Sequence, residues 1–337
     1  MPKSAPMEYV LAEMRARELR AAHDFAAAAA SAREASRLAE EAGDSTSAWH
    51  MRFFEGDCLV EAGQRELCLP LVQALIDSPV ASAEPGLLAR ALVLAAKCLQ
   101  STGRLAEAVE AATRSVGILQ FGRGDGALLL QARQALVAAL AESGELGSAW
   151  DHCLAMKDEI TDDMNQQDVG RAYWTIGNVA FLNDRPDDGV DFHERATDTF
   201  SPGRDLDLWA KFNKASAAMR LAAGIADAGT LQCLQRAELA MEIAGGSVQD
   251  HLLLDIARAN WNLLAGHAQS AVDLLAPICD SGGGSIAAQT AAEATALLAR
   301  ALKQLGQHGE AQERLESAAR LFRGAGAQER ARQLEEA

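Results

Sequence analysis

The chain has 337 residues, a net charge of −16 and few aromatic side chains, and that acidity argues against bulk binding to nucleic acid or to an anionic membrane surface. Alanine is abundant and β-branched residues are sparse, which is helix-forming composition. No apolar run reaches the roughly 18–20 residues that a membrane-spanning helix needs.

In chain order, the same unit is predicted eight times. Each begins with a long apolar helical stretch that ends at a corner residue. The corners are His23, Gly63, Gly103, Gly144, Asp184, Gly224, Gly266 and Gly306, spaced 40, 40, 41, 40, 40, 42 and 40 residues apart. Gly is the expected residue there, because it enters the left-handed region without strain. A second helix follows each corner.

Two small residues recur around the corner. Five residues after it stand Ala28, Cys68, Ala108, Ala149, Gly189, Ala271 and Ala311, and in the sixth unit Thr230 follows at six. Seven residues before it stand Ala16, Gly56, Ala96, Gly177, Ala217, Ala259 and Ala299, with Val137 as the exception. Small side chains at both places let paired helices approach closely. A chain of such units predicts a helical solenoid, whose units bury their faces only against neighbours.

This pattern resembles the tetratricopeptide repeat. Tyr173-Trp174-Thr175-Ile176-Gly177-Asn178-Val179-Ala180 with Asp187-Asp188-Gly189-Val190 is the clearest copy, and Ser101 to Ala108 and Gln304 to Ala311 are further good ones. The resemblance covers about residues 7 to 322. It implies an all-α, right-handed superhelical solenoid of about eight antiparallel helix pairs. The array is expected over 1–324, with a C-terminal capping helix over 325–337. The period departs from the family's 34 residues, and six extra residues add roughly 9 Å of helix per unit. Long repeats of this kind resemble those of bacterial peptide-sensing regulators. Those regulators usually carry a preceding helix-turn-helix domain, and a first repeat starting near Met7 leaves no room for one.

In the family the first helix of each unit lines the concave face, through its second, fifth, ninth and twelfth positions. Transferred repeat by repeat, these are Val10, Glu13, Arg17 and Arg20; His50, Phe53, Asp57 and Val60; Arg90, Val93, Lys97 and Gln100; Gln131, Gln134, Ala138 and Ala141. The later repeats give Arg171, Trp174, Asn178 and Phe181; Lys211, Lys214, Ala218 and Leu221; Leu253, Ile256, Asn260 and Leu263; Glu293, Ala296, Arg300 and Lys303. Basic residues outnumber acids in this set although acids dominate the chain. Such a groove would steer an anionic partner inward. The resemblance therefore implies a peptide-binding set of Arg17, Arg20, Phe53, Arg90, Lys97, Gln134, Arg171, Trp174, Asn178, Phe181, Lys211, Lys214, Asn260 and Arg300. Its partner would be a peptide or protein segment, acidic and with apolar anchors. Part of this set (Arg171, Asn178, Lys211, Lys214) resembles the family's carboxylate clamp, but the full clamp is absent.

No signature of chemistry accompanies the repeats. The seven histidines form no metal-binding spacing, there is no P-loop, GxGxxG or GxSxG, and no cofactor is expected. Gly122 to Gly126 and Gly282 to Ser285 read as linkers. The Asp162-Asp163 and Asp187-Asp188 pairs are expected at helix starts, where they complement the dipole. The six cysteines lack a CxxC pair and fit small buried positions in a reduced cytoplasmic protein. The N-terminus lacks the apolar core of a signal peptide. The expectation is thus a cytoplasmic, non-enzymatic binding protein, in the specific form of a peptide-responsive regulatory sensor. The alternative is a passive assembly scaffold or a homodimer whose groove its own helix fills.

Overall fold

The computed structural model describes residues 7–120, 126–280 and 287–335, and every regular element among them is an α-helix. The first unit of structure, Met1–Asn183, contains α1 (Met7–Ala21), α2 (Phe25–Glu41), α3 (Ser45–Glu61), α4 (Arg65–Ile76), α5 (Pro79–Ala83), α6 (Pro85–Ser101), α7 (Leu105–Gln120), α8 (Gly126–Glu142), α9 (Leu146–Glu159) and α10 (Gln166–Leu182). The second, Asp184–Ala337, contains α11 (Pro186–Thr199), α12 (Leu206–Ala222), α13 (Ala228–Ala244), α14 (Val248–Leu264), α15 (Ala268–Asp280), α16 (Ala288–Gln304), α17 (His308–Gly324) and α18 (Gln328–Glu335). The two glycine-rich linker readings lie outside the described residues, except for Gly126, which opens α8.

All eight corners have positive φ, from 53° at Asp184 to 84° at Gly266. At the second corner, Gly63 N–H donates to the Val60 carbonyl (3.0 Å) and Gln64 N–H to the Leu59 carbonyl (2.9 Å). This crossed pair satisfies carbonyls that the helix end leaves open. His23 adopts φ 61° with the same pair of bonds, to Arg20 and Leu19. A β-carbon is strained in that region. Replacing His23 by Gly is therefore expected to stabilise unit 1 by about 1 kcal/mol, less whatever its edge contact with Phe25 contributes. A higher urea midpoint at unchanged slope would show it.

The two rows of small residues sit at the helix crossings. Ala16, Ala28, Ala108, Ala149, Val137, Ala259 and Ala271 are all fully buried. At Gly56 an added β-carbon would stand 3.0 Å from a Leu94 methyl and 3.1 Å from a Leu71 methyl. α2 shows the result of this composition: its buried face is Ala28, Ala29, Ala32, Ala35, Ser36 and Ala39, all small. The backbones can then approach closely, and Ser36 Oγ reaches across to the Ala48 carbonyl at 3.0 Å.

Of the first helices, α3, α6, α8, α10, α12, α14 and α16 each have 17 residues. The second helices vary. In the second repeat the second helix breaks into α4 and α5, with Ser78 as a new N-cap and Pro79 at the first position of α5. In the sixth, α13 starts four residues after its corner, where Asp227 accepts from Thr230 N–H at 2.8 Å. The other second helices start two residues after theirs. That extra turn is the insertion seen in the 42-residue spacing.

One of the two readings of aspartate pairs changes. Asp162 and Asp163 precede α10 in a turn; the N-cap is Asn165, which accepts from Gln167 N–H at 2.8 Å. The Thr161 hydroxyl donates to Asp163 at 2.6 Å and holds its carboxyl below the usual range. Asp187 and Asp188 do lie in the first turn of α11. Five cysteines are buried and Cys279 is half-buried. Burial pushes the Cys58 thiol up to about 11 and Cys153 to about 12, so both stay as protonated small hydrophobes.

Candidate functional site

In unit 1 the first helices α3, α6, α8 and α10 pack in sequence, and α1 joins them through an ion pair between Arg20 and Asp57 (2.6 Å). Their shared face bounds a cavity of about 910 Å³, and every residue lining it comes from α1, α3, α6, α8 or α10. The second helices contribute nothing to it. Positions equally far from their corners form rows across the helices. Thirteen residues before the corner stand His50, Arg90, Gln131 and Arg171. Ten before it stand Phe53, Val93, Gln134 and Trp174. All eight line the cavity.

Eight residues of the expected binding set are thus brought together: Arg17, Arg20, Phe53, Arg90, Lys97, Gln134, Arg171 and Trp174. Asn178 and Phe181 are half-buried on the later turns of α10, which the cavity does not reach. Lys211 and Lys214 on α12, Asn260 on α14 and Arg300 on α16 belong to unit 2. There Lys211 and Arg300 are exposed, while Lys214 Nζ lies 3.3 Å from Asp250. Asp250 also closes the capping box at the start of α14, and these bonds hold its carboxyl low.

The electrostatics of the cavity are less one-sided than the sequence rows imply. Besides Arg17, Arg20, Arg90, Lys97 and Arg171, the lining includes Glu13, Asp57, Glu61 and Asp168. Arg17 pairs with Glu13 at 2.6 Å, one turn away on the same helix. Both Arg17 and Arg20 lie over the Phe54 ring, at 5.7 and 5.1 Å from its centre. At the α1–α3 end the cations are therefore already matched. Arg90, Lys97 and Arg171 form no ion pair with any described residue. Arg90 rests over Phe53 at 5.7 Å, and Phe53 in turn stacks on Trp49 at 5.6 Å. Trp49 is anchored from behind by its indole N–H to the Leu75 carbonyl, 3.2 Å away. On α8, Gln134 Nε2 is buried without a hydrogen-bond partner.

The position rule missed part of the lining, notably Tyr9, Phe54, Leu94, Leu128, Gln167, Asp168 and Thr175. Several are immediate sequence neighbours of expected positions. A groove face on a helix is broad enough to take two adjacent residues per turn, as with Phe53 and Phe54. In α1 the rule selected Val10, but the cavity is lined by Tyr9. Burial raises the pKa of the Tyr9 phenol, with Glu13 adding to the shift.

α8 is fixed from its other side. Arg133 is almost fully buried and grips Glu159 at the end of α9, with Nε 2.8 Å from both carboxylate oxygens. Its Nη1 lies 3.2 Å from His152 Nδ1. Burial first, and the Arg133 charge second, lower the pKa of His152; Asp151 opposes them. The native state therefore holds His152 neutral where the unfolded chain takes up a proton. That contribution is complete above the ordinary value of 6.5 and is lost as pH falls below it. Between pH 7.5 and 5.5 the urea midpoint of the wild type is expected to fall more than that of His152→Gln.

Among the described residues no His, Cys, Asp and Glu side chains cluster as metal ligands, and no helix is long and apolar enough to cross a membrane. No protein-family model and no curated protein matches the sequence. Solved structures do match in fold. One is aspartyl phosphate phosphatase F from Bacillus subtilis, at 12% identity over 85% of this chain and 75% of that one, with a TM-score of 0.55. The apo form of RapI is similar at 11% identity over 92% and 100%, with a TM-score of 0.54. A Rap protein in complex with competence and sporulation factor is similar at 11% identity over 95% and 99%, with a TM-score of 0.55. The chain has an all-α solenoid fold of the tetratricopeptide type. It resembles the Rap solenoids along nearly its whole length. At this identity the likeness concerns the fold, so the chemistry of the solenoid has to be read from its own groove.

Proposed function

We propose that this solenoid is a non-enzymatic binding protein whose unit 1 groove takes a peptide or protein segment. The observation that carries the reading is the cavity itself. It is lined only by first helices, and it combines aromatic anchors (Phe53, Trp174) with amides and with three cations, Arg90, Lys97 and Arg171, that pair with no acid among the described residues. Such a surface suits an acidic segment with apolar side chains, because arginine grips carboxylates and buried aromatics carry much of an interface's energy. That a fold relative is solved with competence and sporulation factor supports a role in regulation, in which binding shifts the packing of neighbouring repeats. A cytoplasmic location accords with the six unpaired thiols. Isothermal titration with acidic, aromatic-containing peptides tests the proposal. Saturable binding that weakens with added salt is expected; heat of dilution alone, at every peptide composition, would overturn it.

A second reading, assembly through self-association, draws on one feature. Met7, Val10, Leu11 and Met14 form an exposed apolar stripe along α1. Light scattering across concentration, with Leu11→Glu as the variant, distinguishes a dimer from a monomer.

A further inference from the structure

We infer that the groove of unit 1 recognises two carboxylates held about five or six residues apart on one extended chain. This rests on the peptide-binding reading above and specifies its ligand. Arg90 on α6 and Arg171 on α10 occupy the same register, thirteen residues before their corners Gly103 and Asp184. Both are exposed, both line the cavity, and neither forms an ion pair with a described residue. One helix, α8, separates them, packed against both.

Neighbouring helix axes lie about 8–10 Å apart, so the two guanidinium rows stand about 16–20 Å apart. One carboxylate cannot span that gap. An extended chain advances about 3.3 Å per residue, so it crosses the gap in about five to six residues. Each arginine can then take one carboxylate in bidentate fashion. Between them α8 presents Gln131 and Gln134, neutral amides facing the middle of the crossing chain. The buried, unpartnered Nε2 of Gln134 is a donor suited to a peptide carbonyl. Two other arrangements fit less well. Arg17 and Arg20 already share acids of the protein, Glu13 and Asp57. Lys97 lies seven residues beyond Arg90, about 10 Å along the same helix and off the line to Arg171.

The test uses the full chain and ten-residue synthetic peptides with one central Phe and two aspartates, spaced by three or by six, measured by isothermal titration. The six-spaced peptide is expected to bind at least tenfold more tightly than the three-spaced peptide and than its own Asp→Asn versions. Arg90→Gln and Arg171→Gln should each erase that preference, while Arg37→Gln on α2, outside the groove, should preserve it. Circular dichroism confirms that each variant is folded. Equal affinity for the two spacings, or a preference that survives both groove variants, overturns the two-carboxylate inference and leaves peptide binding standing. Binding by no peptide of either spacing overturns both.

Discussion

Replacing Arg133 by Ala is expected to destabilise unit 1 by about 3 kcal/mol. The side chain is 7% exposed, and Glu159, its partner, is 22% exposed. Removing the guanidinium leaves a largely buried carboxylate uncompensated, and a buried charge without its partner costs far more than a surface ion pair is worth. The loss has a second component. Glu159 is the last residue of α9, where the helix dipole already places partial negative charge. Arg133 offsets both. Because it stands on α8 with Gln131 and Gln134 on the groove side, the change should also loosen the groove floor. Urea denaturation of the full chain measures the first effect. Faster amide exchange along α8 and α9 measures the second. A variant within 0.5 kcal/mol of the wild type, as for an ordinary surface substitution, would refute the argument.

Replacing Phe212 by Ala is expected to cost about 3–5 kcal/mol in unit 2. Phe212 is fully buried on α12, between Phe200 (ring centres 5.1 Å apart) and His193 (5.8 Å, edge to face). The cavity left behind would open beside polar groups that tolerate no disorder. His193 is itself fully buried, with Nδ1 2.9 Å from the Ser216 hydroxyl, and Cys233 Sγ reaches the same oxygen at 3.7 Å. Partial collapse would strain this chain of bonds, and a buried donor or acceptor left unpaired adds its own penalty. Phe212→Leu keeps most of the volume and should cost less than half as much. Denaturant midpoints order the two variants, and equal losses would show that ring contacts do not govern the site.

Much of the fold could be read from particular residues. The corners were visible because a left-handed residue is a property of one position, which Gly meets without strain and which His23 and Asp184 meet at some cost. The break of the second repeat into α4 and α5 was less visible, because Ser78-Pro79 starts a helix as readily as it ends a loop. In the groove, the position rule found Arg90 and Arg171 but chose Val10 over Tyr9. One helical residue turns a side chain by about 100°, and only the packing of α1 fixes which neighbour faces in.

By itself the sequence determined the repeat, its corners and its crossings, since backbone strain and the bulk of a β-carbon act locally and recur with the period. Which helix of each pair faces the groove was implied only by the resemblance to the tetratricopeptide repeat, and in unit 1 the cavity is lined by first helices alone. Which cations remain available was decided only by the tertiary structure. Arg20 is paired by Asp57 from the next repeat, Lys214 by Asp250 from the repeat after its own, and Arg90 and Arg171 by no acid among the described residues. Charge pairing depends on distances of a few ångströms between residues far apart in sequence, and Coulomb energy falls with those distances in a way that no one-dimensional count of charges records.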